Sequence, residues 1–193
     1  IDEMGDVNGA ESTYRFLLGI QPNDGEVLAA LDEIYDQHGS HEALATTLRR
    51  RIEVADQPDD KVELSYRLGQ VLEHELGRTD EAIAVYDSVL TGLEPEHADS
   101  IHALASIYAG RNDWPKLFQT FEKELDVVHG DQAQAEVLAR MAYIAFHTLG
   151  DAEKSIELWR KVLDLRGEDA EALSALGDVY ASLERYTELV DVL

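Results

Sequence analysis

Apolar residues recur along this chain at intervals of three and four positions, the spacing that places side chains on one face of an α-helix. One such stripe runs through Ile101, Leu104 and Tyr108, and a break at Gly110 follows it. A second stripe begins at Leu117. The same two-stripe arrangement occurs throughout the chain, and no long alternating pattern typical of strands competes with it. The pattern therefore predicts an all-α fold built from pairs of amphipathic helices.

The helix pairs repeat with a long period of about 73 residues, which is the signature of a repeat architecture. Each long period divides into two similar halves. Leu68 and Met141 lie about halfway between the leucines that repeat at the full period. The two clearest tracks are Leu31, Leu104 and Leu176, and Tyr35, Tyr108 and Tyr180. We therefore expect one array over residues 1–193. Its approximate repeats are 1–22 (partial), 23–58, 59–95, 96–130, 131–167 and 168–193 (partial).

Residues between the predicted helices agree with this division. Asp113 and Asp151 stand where helices are expected to begin, and an aspartate there accepts hydrogen bonds from free backbone amides. Glycines lie between the two helices of a pair, where a left-handed residue can end the first helix. These glycines are Gly39, Gly77, Gly110 and Gly150. Both ends of the sequence fall within a repeat, so we expect the chain to be part of a longer array.

The charge composition of the chain limits the classes of partner that it is expected to bind. The chain has 40 Asp and Glu against 16 Lys and Arg, which gives a formal net charge of −24. Such a field repels nucleic acids and anionic membranes and attracts basic segments, although the charge can also serve solubility alone. No apolar run is long enough to span a membrane. We expect a soluble protein with protein or peptide partners of basic or neutral character, no nucleic-acid ligand and no membrane insertion; the compartment is left open.

Residues that could carry chemistry are sparse. His38 and His41 stand three positions apart, and His97 and His102 five apart, but neither pair has the carboxylate pattern typical of zinc sites. The sequence contains no cysteine and no glycine-rich phosphate loop. The histidines are explained by positions near helix ends. The sequence therefore predicts no enzymatic activity, no cofactor and no metal site.

A two-helix unit with this combination of apolar, small and aromatic positions resembles the tetratricopeptide repeat (TPR) family. The resemblance is carried by Leu68-Gly69, Ala82 and Tyr86, and again by Leu176-Gly177, and it covers essentially the whole chain. Two features depart from the family pattern: the average step is longer than the family's repeat of about 34 residues, and leucine replaces the small residue in alternate repeats. The resemblance implies a right-handed α-solenoid of antiparallel helix pairs that holds a peptide or protein segment in a concave groove.

The groove positions of the family can be carried over to this sequence. They include several acidic residues and no Lys or Arg, so the resemblance implies an acidic groove and argues against a clamp for a terminal carboxylate. Tyr66, Tyr143 and Phe146 are the candidate apolar anchors, although each can equally serve to cover a neighbouring helix. The candidate groove residues are Glu33, Asp36, Tyr66, Gln70, Glu73, His74, His102, Tyr143, Phe146 and His147.

Two functions remain open from the sequence. The first is a non-catalytic scaffold that binds proteins or peptides in the acidic groove. The second is a structural spacer or self-assembling module whose repeats stack end to end through uncapped ends, giving a homo-oligomer. On the second reading, Leu189, Val190 and Leu193 would pair with a neighbouring chain or with a continuation of the array.

Overall fold

The computed structural model describes the backbone of residues 3–192 and the side chains of residues 9–191. Every regular element in this range is helical, which confirms the predicted all-α class. Leu193, one of the residues expected to pair with a neighbouring chain, lies outside the described residues.

Eleven α-helices follow one another between residues 3 and 192. Two π-helical segments, Val71–Glu75 and Val89–Leu93, directly continue the fourth and fifth of them. The α-helices are α1 (Glu3–Ile20), α2 (Gly25–Gln37), α3 (His41–Val54), α4 (Pro58–Gln70), α5 (Thr79–Ser88), α6 (Ala98–Gly110), α7 (Trp114–Val127), α8 (Asp131–His147), α9 (Ala152–Arg166), α10 (Ala170–Ser182) and α11 (Tyr186–Val192).

The chain forms two compact units, Ile1–Ser100 and Ile101–Leu193, which we call the N-terminal and C-terminal units. The division falls within α6. The helix bounds repeat: α2, α3 and α4 begin one long period before α6, α7 and α8, and α10 begins one long period after α6. These intervals confirm the long period read from the sequence. The expectation of one array over residues 1–193 stays a prediction.

Side-chain caps begin several of the helices. The carboxylates of Asp113 and Asp151 accept hydrogen bonds from the backbone amides of Lys116 (3.4 Å) and Lys154 (2.9 Å), as the sequence predicted. Asp24 caps α2 in the same way, with acceptor distances of 3.0 and 3.1 Å. Each cap satisfies amides that have no partner within the helix.

A left-handed residue occupies one equivalent position in three of the turns between paired helices. Gly39 has φ of 63°, Asn112 has 55° and Glu184 has 57°. The sequence prediction was wrong for Gly110, which is the last residue of α6 and has no positive φ. The helix runs further than expected before the turn, so Asn112 takes the left-handed conformation. Asparagine tolerates that conformation better than most side chains.

Close packing explains the leucine–glycine pair Leu68-Gly69 in the N-terminal unit. A Cβ on Gly69 would lie 2.3 Å from Cε1 of Tyr86, so only glycine fits there. Leu68 is 3% exposed and Tyr86 fully buried, so α4 and α5 meet at this pair. Packing around the equivalent Gly177 in the C-terminal unit is less tight. A Cβ added there would lie 3.6 Å from a methyl group of Leu189, an ordinary contact.

Candidate functional site

A large cleft in the C-terminal unit lies along α8. It has a volume of about 860 Å³ and is walled by residues of α7, α8, α9 and α10, and we call it the α8 cleft. Tyr143 and Glu136 line it from α8, and Glu171 lines it from the start of α10. Trp159 of α9 forms part of its wall and is itself buried. The cleft therefore combines an apolar wall with carboxylates at its sides.

Three of the predicted groove residues form an aromatic group on α8. The Tyr143 ring lies 4.2 Å from the His147 ring between centroids, and the Phe146 ring lies 4.8 Å from that of His147. Tyr143 is 59% exposed, whereas Phe146 is partly buried. All three also line a smaller adjoining pocket of about 270 Å³. The structure thus brings Tyr143, Phe146 and His147 together, with Tyr143 and His147 exposed.

Two arginines line the α8 cleft that the sequence analysis did not include. Arg140 of α8 places its guanidinium carbon 4.5 Å from the centre of the Phe121 ring. Arg166, at the end of α9, lies 3.2 Å from Asp169 and 3.7 Å from Glu136. They were missed because neither occupies a groove position of the family. The signal available in the sequence was the recurrence of arginine at positions 67 and 140, one full period apart.

Asp169 connects the start of α10 to Arg166. Its carboxylate accepts a hydrogen bond from the Ala172 amide at 2.9 Å and another from Arg166 at 3.2 Å. The backbone hydrogen bond from Ala172, assisted by the guanidinium of Arg166, lowers the pKa of Asp169. This cap fixes the start of α10, the helix that carries Glu171 into the cleft.

A third pocket in the C-terminal unit lies among α6, α7 and α8. It has a volume of about 350 Å³, and we call it the Glu124 pocket after the buried carboxylate that lines it. His102, a predicted groove residue, lines this pocket, and its Nε2 atom lies 3.8 Å from Oε1 of Glu124. Arg140, Leu117 and Phe121 line both this pocket and the α8 cleft.

The predicted residues of α2 are surface residues with different surroundings. Glu33 is exposed, whereas Asp36 lies 3.3 Å from the guanidinium of Arg67. Asp32, which the sequence analysis passed over, is 1% exposed and accepts hydrogen bonds from Arg51 and Arg67. The acidic character of α2 is therefore partly neutralised within the N-terminal unit.

The predicted residues of α4 and its π-helical continuation are largely engaged in internal contacts. Tyr66 is partly buried, with its ring 5.8 Å from that of Tyr86 and 5.3 Å from that of His97. Burial raises the pKa of Tyr66, with a further contribution from the charge of Asp99. Tyr66 covers a neighbouring helix in this structure, which is the alternative that the sequence left open for it.

Glu73 and His74 lie where the backbone widens into a π-helix, and Gln70 is the exposed last residue of α4. The Tyr86 hydroxyl donates to Oε2 of Glu73 at 3.1 Å. Burial, together with this carboxylate, raises the pKa of Tyr86 well above its usual value. His74 is exposed, with its Nε2 atom 3.9 Å from Glu73.

The described residues define an all-helical repeat protein with clefts between its helices. A family profile described as tetratricopeptide repeat matches residues 35–100 and 144–188, and a second profile with the same description matches residues 100–135. The matched segments cover more than half of the chain, so the chain belongs to the tetratricopeptide repeat family. The family identifies it as a protein-interaction scaffold.

Solved structures share the fold at low sequence identity. A crystal structure of MamA is 20% identical, with a TM-score of 0.52, over 84% of this chain and 90% of that one. Another MamA structure is 14% identical, with a TM-score of 0.51, over 87% of both chains. The C-terminal part of a TPR repeat-containing protein from Cytophaga hutchinsonii is 15% identical, with a TM-score of 0.54, over 97% of this chain and 74% of that one. These likenesses support the TPR fold alone.

No curated protein sequence matches this chain at a significant level. Over the part of the chain that the structure describes, no helix is long and apolar enough to cross a membrane. The same residues contain no group of three or more His, Asp or Glu side chains placed to hold a metal ion.

Proposed function

We propose that the C-terminal unit binds an extended segment of a partner protein in the α8 cleft, with Tyr143 as the apolar anchor. The observation that carries the proposal is the exposure of Tyr143, 59%, inside a cleft of about 860 Å³. An exposed aromatic side chain beside a concave surface is the residue type that contributes most to binding energy at interfaces. The buried ring of Trp159 supplies the apolar floor against which a partner side chain can pack.

The charges around the cleft favour a basic or neutral segment. Glu171 is exposed at its α10 side, and Asp178 is exposed at the smaller adjoining pocket. Arg140 and Arg166 are already paired with carboxylates of this chain, at 2.7 and 3.2 Å. The net charge of −24 also attracts a basic segment over a longer range. Exposed charges act mainly on the rate of association, whereas the aromatic anchor acts on dissociation.

Peptides selected by display against the protein provide the test. The Tyr143→Ala variant should bind a selected peptide at least about thirtyfold more weakly, because losing a buried aromatic anchor costs about 2 kcal/mol. Tyr186→Ala is the matched control, since Tyr186 is 63% exposed in the same unit and does not line the cleft. Equal losses in both variants, or none in Tyr143→Ala, would place the binding surface elsewhere.

Exposed apolar residues on the outermost helices favour self-assembly as a second candidate. Phe16 and Ile20 of α1 are 69% and 64% exposed, and Tyr186 and Val190 of α11 are 63% and 72% exposed. Burial of such side chains between copies would stabilise an oligomer. Sedimentation over a range of concentrations tests this: we expect association that the Phe16→Ser and Val190→Ser variants weaken. A strict monomer at every concentration would contradict this candidate.

A further inference from the structure

The Glu124 pocket contains a buried carboxylate oxygen without a donor. Glu124 is 5% exposed, and its Oε1 atom accepts a hydrogen bond from Arg140 at 2.7 Å. Its Oε2 atom is buried and has no hydrogen-bond partner among the described residues. Leaving a charged oxygen buried and unpaired is costly, so a donor that reaches this atom gains a hydrogen bond stronger than one between neutral groups.

The corresponding helices of the N-terminal unit also hold a buried carboxylate, Asp32, whose Oδ1 atom has no hydrogen-bond partner among the described residues but lies 2.9 Å from a guanidinium nitrogen of Arg67. Helices α2, α3 and α4 correspond to α6, α7 and α8, which begin one long period further along the chain. In the N-terminal unit, the buried carboxylate of Asp32 meets two guanidinium groups, one from α3 and one from α4. The corresponding positions are Asp32 and Ala105, Asp36 and Ala109, Arg51 and Glu124, and Arg67 and Arg140.

These exchanges change the charge of the site and open a space. The C-terminal unit keeps one buried carboxylate, now on α7, but only one arginine faces it. Ala105 and Ala109 take the positions of Asp32 and Asp36, and both alanines line the Glu124 pocket. The C-terminal site therefore has one arginine where the N-terminal site has two, and small side chains line the pocket beside its carboxylate.

We infer that the Glu124 pocket receives the cationic side chain of an arginine or lysine in a partner segment, with Oε2 of Glu124 as its acceptor. The inference rests on the proposed function, since the segment that supplies this side chain is the one held in the α8 cleft. The two sites share Leu117, Phe121 and Arg140, so one extended segment can reach both. The overall charge of −24 favours a cation in this position.

An acidic side chain is the competing occupant, because Arg140 also lines the pocket. Its guanidinium is already paired with Glu124 and is 49% exposed, so water can satisfy its remaining donors. A carboxylate entering the pocket would meet Glu124 at close range and be repelled. The unpaired group is therefore an acceptor, and the partner group is a donor.

The test uses N-acetyl-arginine methylamide as the probe, its citrulline counterpart as a neutral probe of the same shape, and N-acetyl-aspartate methylamide as the acidic probe. Titrations are followed by the backbone amide signals of the isotopically labelled protein. We expect the arginine probe to shift the signals of residues 102–109 and 121–124, and the other two probes to leave them unchanged. Glu124→Gln should weaken arginine binding at least about tenfold, since a hydrogen bond to a charged group is lost.

Matched variants separate the pocket from other causes. Glu122→Gln removes an exposed carboxylate from the same helix and should leave arginine binding unchanged. Ala109→Leu places a larger aliphatic side chain in the pocket without changing a charge, and it should abolish binding of the arginine probe. This variant tests the inference even if Glu124→Gln does not fold. Equal arginine binding by the wild type, Glu124→Gln and Ala109→Leu would overturn the inference, as would shifts caused by the aspartate probe.

The failure of this inference can be told apart from the failure of the proposed function. Tyr143→Ala should weaken binding of the selected peptide at least about thirtyfold and leave binding of the small arginine probe intact, because Tyr143 does not line the Glu124 pocket. If the arginine probe binds but the peptide is insensitive to Tyr143→Ala, the α8 cleft is wrong and the pocket stands. If the peptide is sensitive to Tyr143→Ala but the arginine probe does not bind, the assignment of the Glu124 pocket is wrong and that of the α8 cleft stands.

Discussion

The two triplets α2–α4 and α6–α8 have the same starting points one period apart, yet their buried charges differ. In the first, Asp32 is held by Arg51 and Arg67, and Asp36 adds a second contact to Arg67. In the second, Glu124 is held by Arg140 alone among the arginines. We conclude that the repeat pattern determines the helices and the apolar core, whereas the polar residues between helices can differ from one repeat to the next. Among the described residues, each buried carboxylate keeps one oxygen without a hydrogen bond, but only the Asp32 oxygen has a guanidinium nitrogen within ion-pair distance, at 2.9 Å.

The largest expected effect comes from removing the shared carboxylate of the first triplet. Asp32→Ala should lower the free energy of unfolding by about 3 kcal/mol, because it leaves two guanidinium groups without their buried partner. Glu124→Ala should cost less, about 1–2 kcal/mol, since only one arginine loses its partner and an unpaired oxygen is removed with it. Urea unfolding of both variants measures the difference.

Equal costs for the two alanine variants would contradict the comparison. It would mean that the single arginine at Glu124 stabilises the fold as much as the two arginines at Asp32 do. Asp59→Ala provides the surface control, because Asp59 is exposed at the start of α4. It should change stability by no more than about 0.5 kcal/mol.

The next effect compares two glycines of the leucine–glycine pairs. Gly69→Ala should cost about 2 kcal/mol, because the new Cβ would lie 2.3 Å from the buried Tyr86 ring. Gly177→Ala should be neutral or stabilising by up to about 1 kcal/mol, because its Cβ meets an ordinary contact at 3.6 Å and alanine favours the helix. Thermal unfolding of the two variants checks the order. A cost for Gly177→Ala equal to or larger than that for Gly69→Ala would contradict this difference in packing.

These contrasts show which features could be predicted from the sequence. Helix pairs, their period and the caps at Asp113 and Asp151 follow from residue spacing, because a helix repeats its face every three to four residues. Tyr143, Phe146 and His147 were named singly as groove residues from the family resemblance, and the structure adds the contacts between their rings. The site arginines were not, because their roles depend on which carboxylate from another helix lies opposite them. Sequence spacing within one helix carries no such information.

Two expectations about the N-terminal unit show the same limit. Tyr66 contacts the ring of Tyr86, and Glu73 accepts a hydrogen bond from the Tyr86 hydroxyl, neither of which could be predicted, while their roles in a groove stay predictions. Both contacts join residues far apart in the chain.

Gly110 was expected in the left-handed turn, but α6 extends to it and Asn112 takes that role. So small a shift at a helix end is beyond what the glycine pattern alone can resolve.

A smaller effect concerns the cap of α10 and its dependence on pH. Asp169→Ala should lower the free energy of unfolding at neutral pH by about 1 kcal/mol, the usual cost of losing such a cap. The pKa of Asp169 is lowered on folding, so its contribution is present above the unfolded pKa of about 3.9 and is lost as the pH falls through the folded value. Wild type and variant should therefore approach each other in stability below about pH 4. A difference that is constant down to pH 2 would contradict this assignment.

The smallest effect lies in the turns between paired helices, where equivalent positions carry Gly39, Asn112 and Glu184 at positive φ. Glu184→Gly should raise the free energy of unfolding by about 0.5 kcal/mol, because glycine adopts this conformation without a steric penalty. Relief of the left-handed strain contributes about 1–2 kcal/mol, and the greater freedom of glycine in the unfolded chain offsets about 0.5–1 kcal/mol of it. Asn112→Gly is the matched comparison and should gain nothing, because asparagine already tolerates this conformation and only the entropic loss remains. Calorimetric unfolding of the two variants measures both values. If Asn112→Gly stabilised the protein more than Glu184→Gly, the side chain of Glu184 would have to make a compensating contact that outweighs its backbone strain.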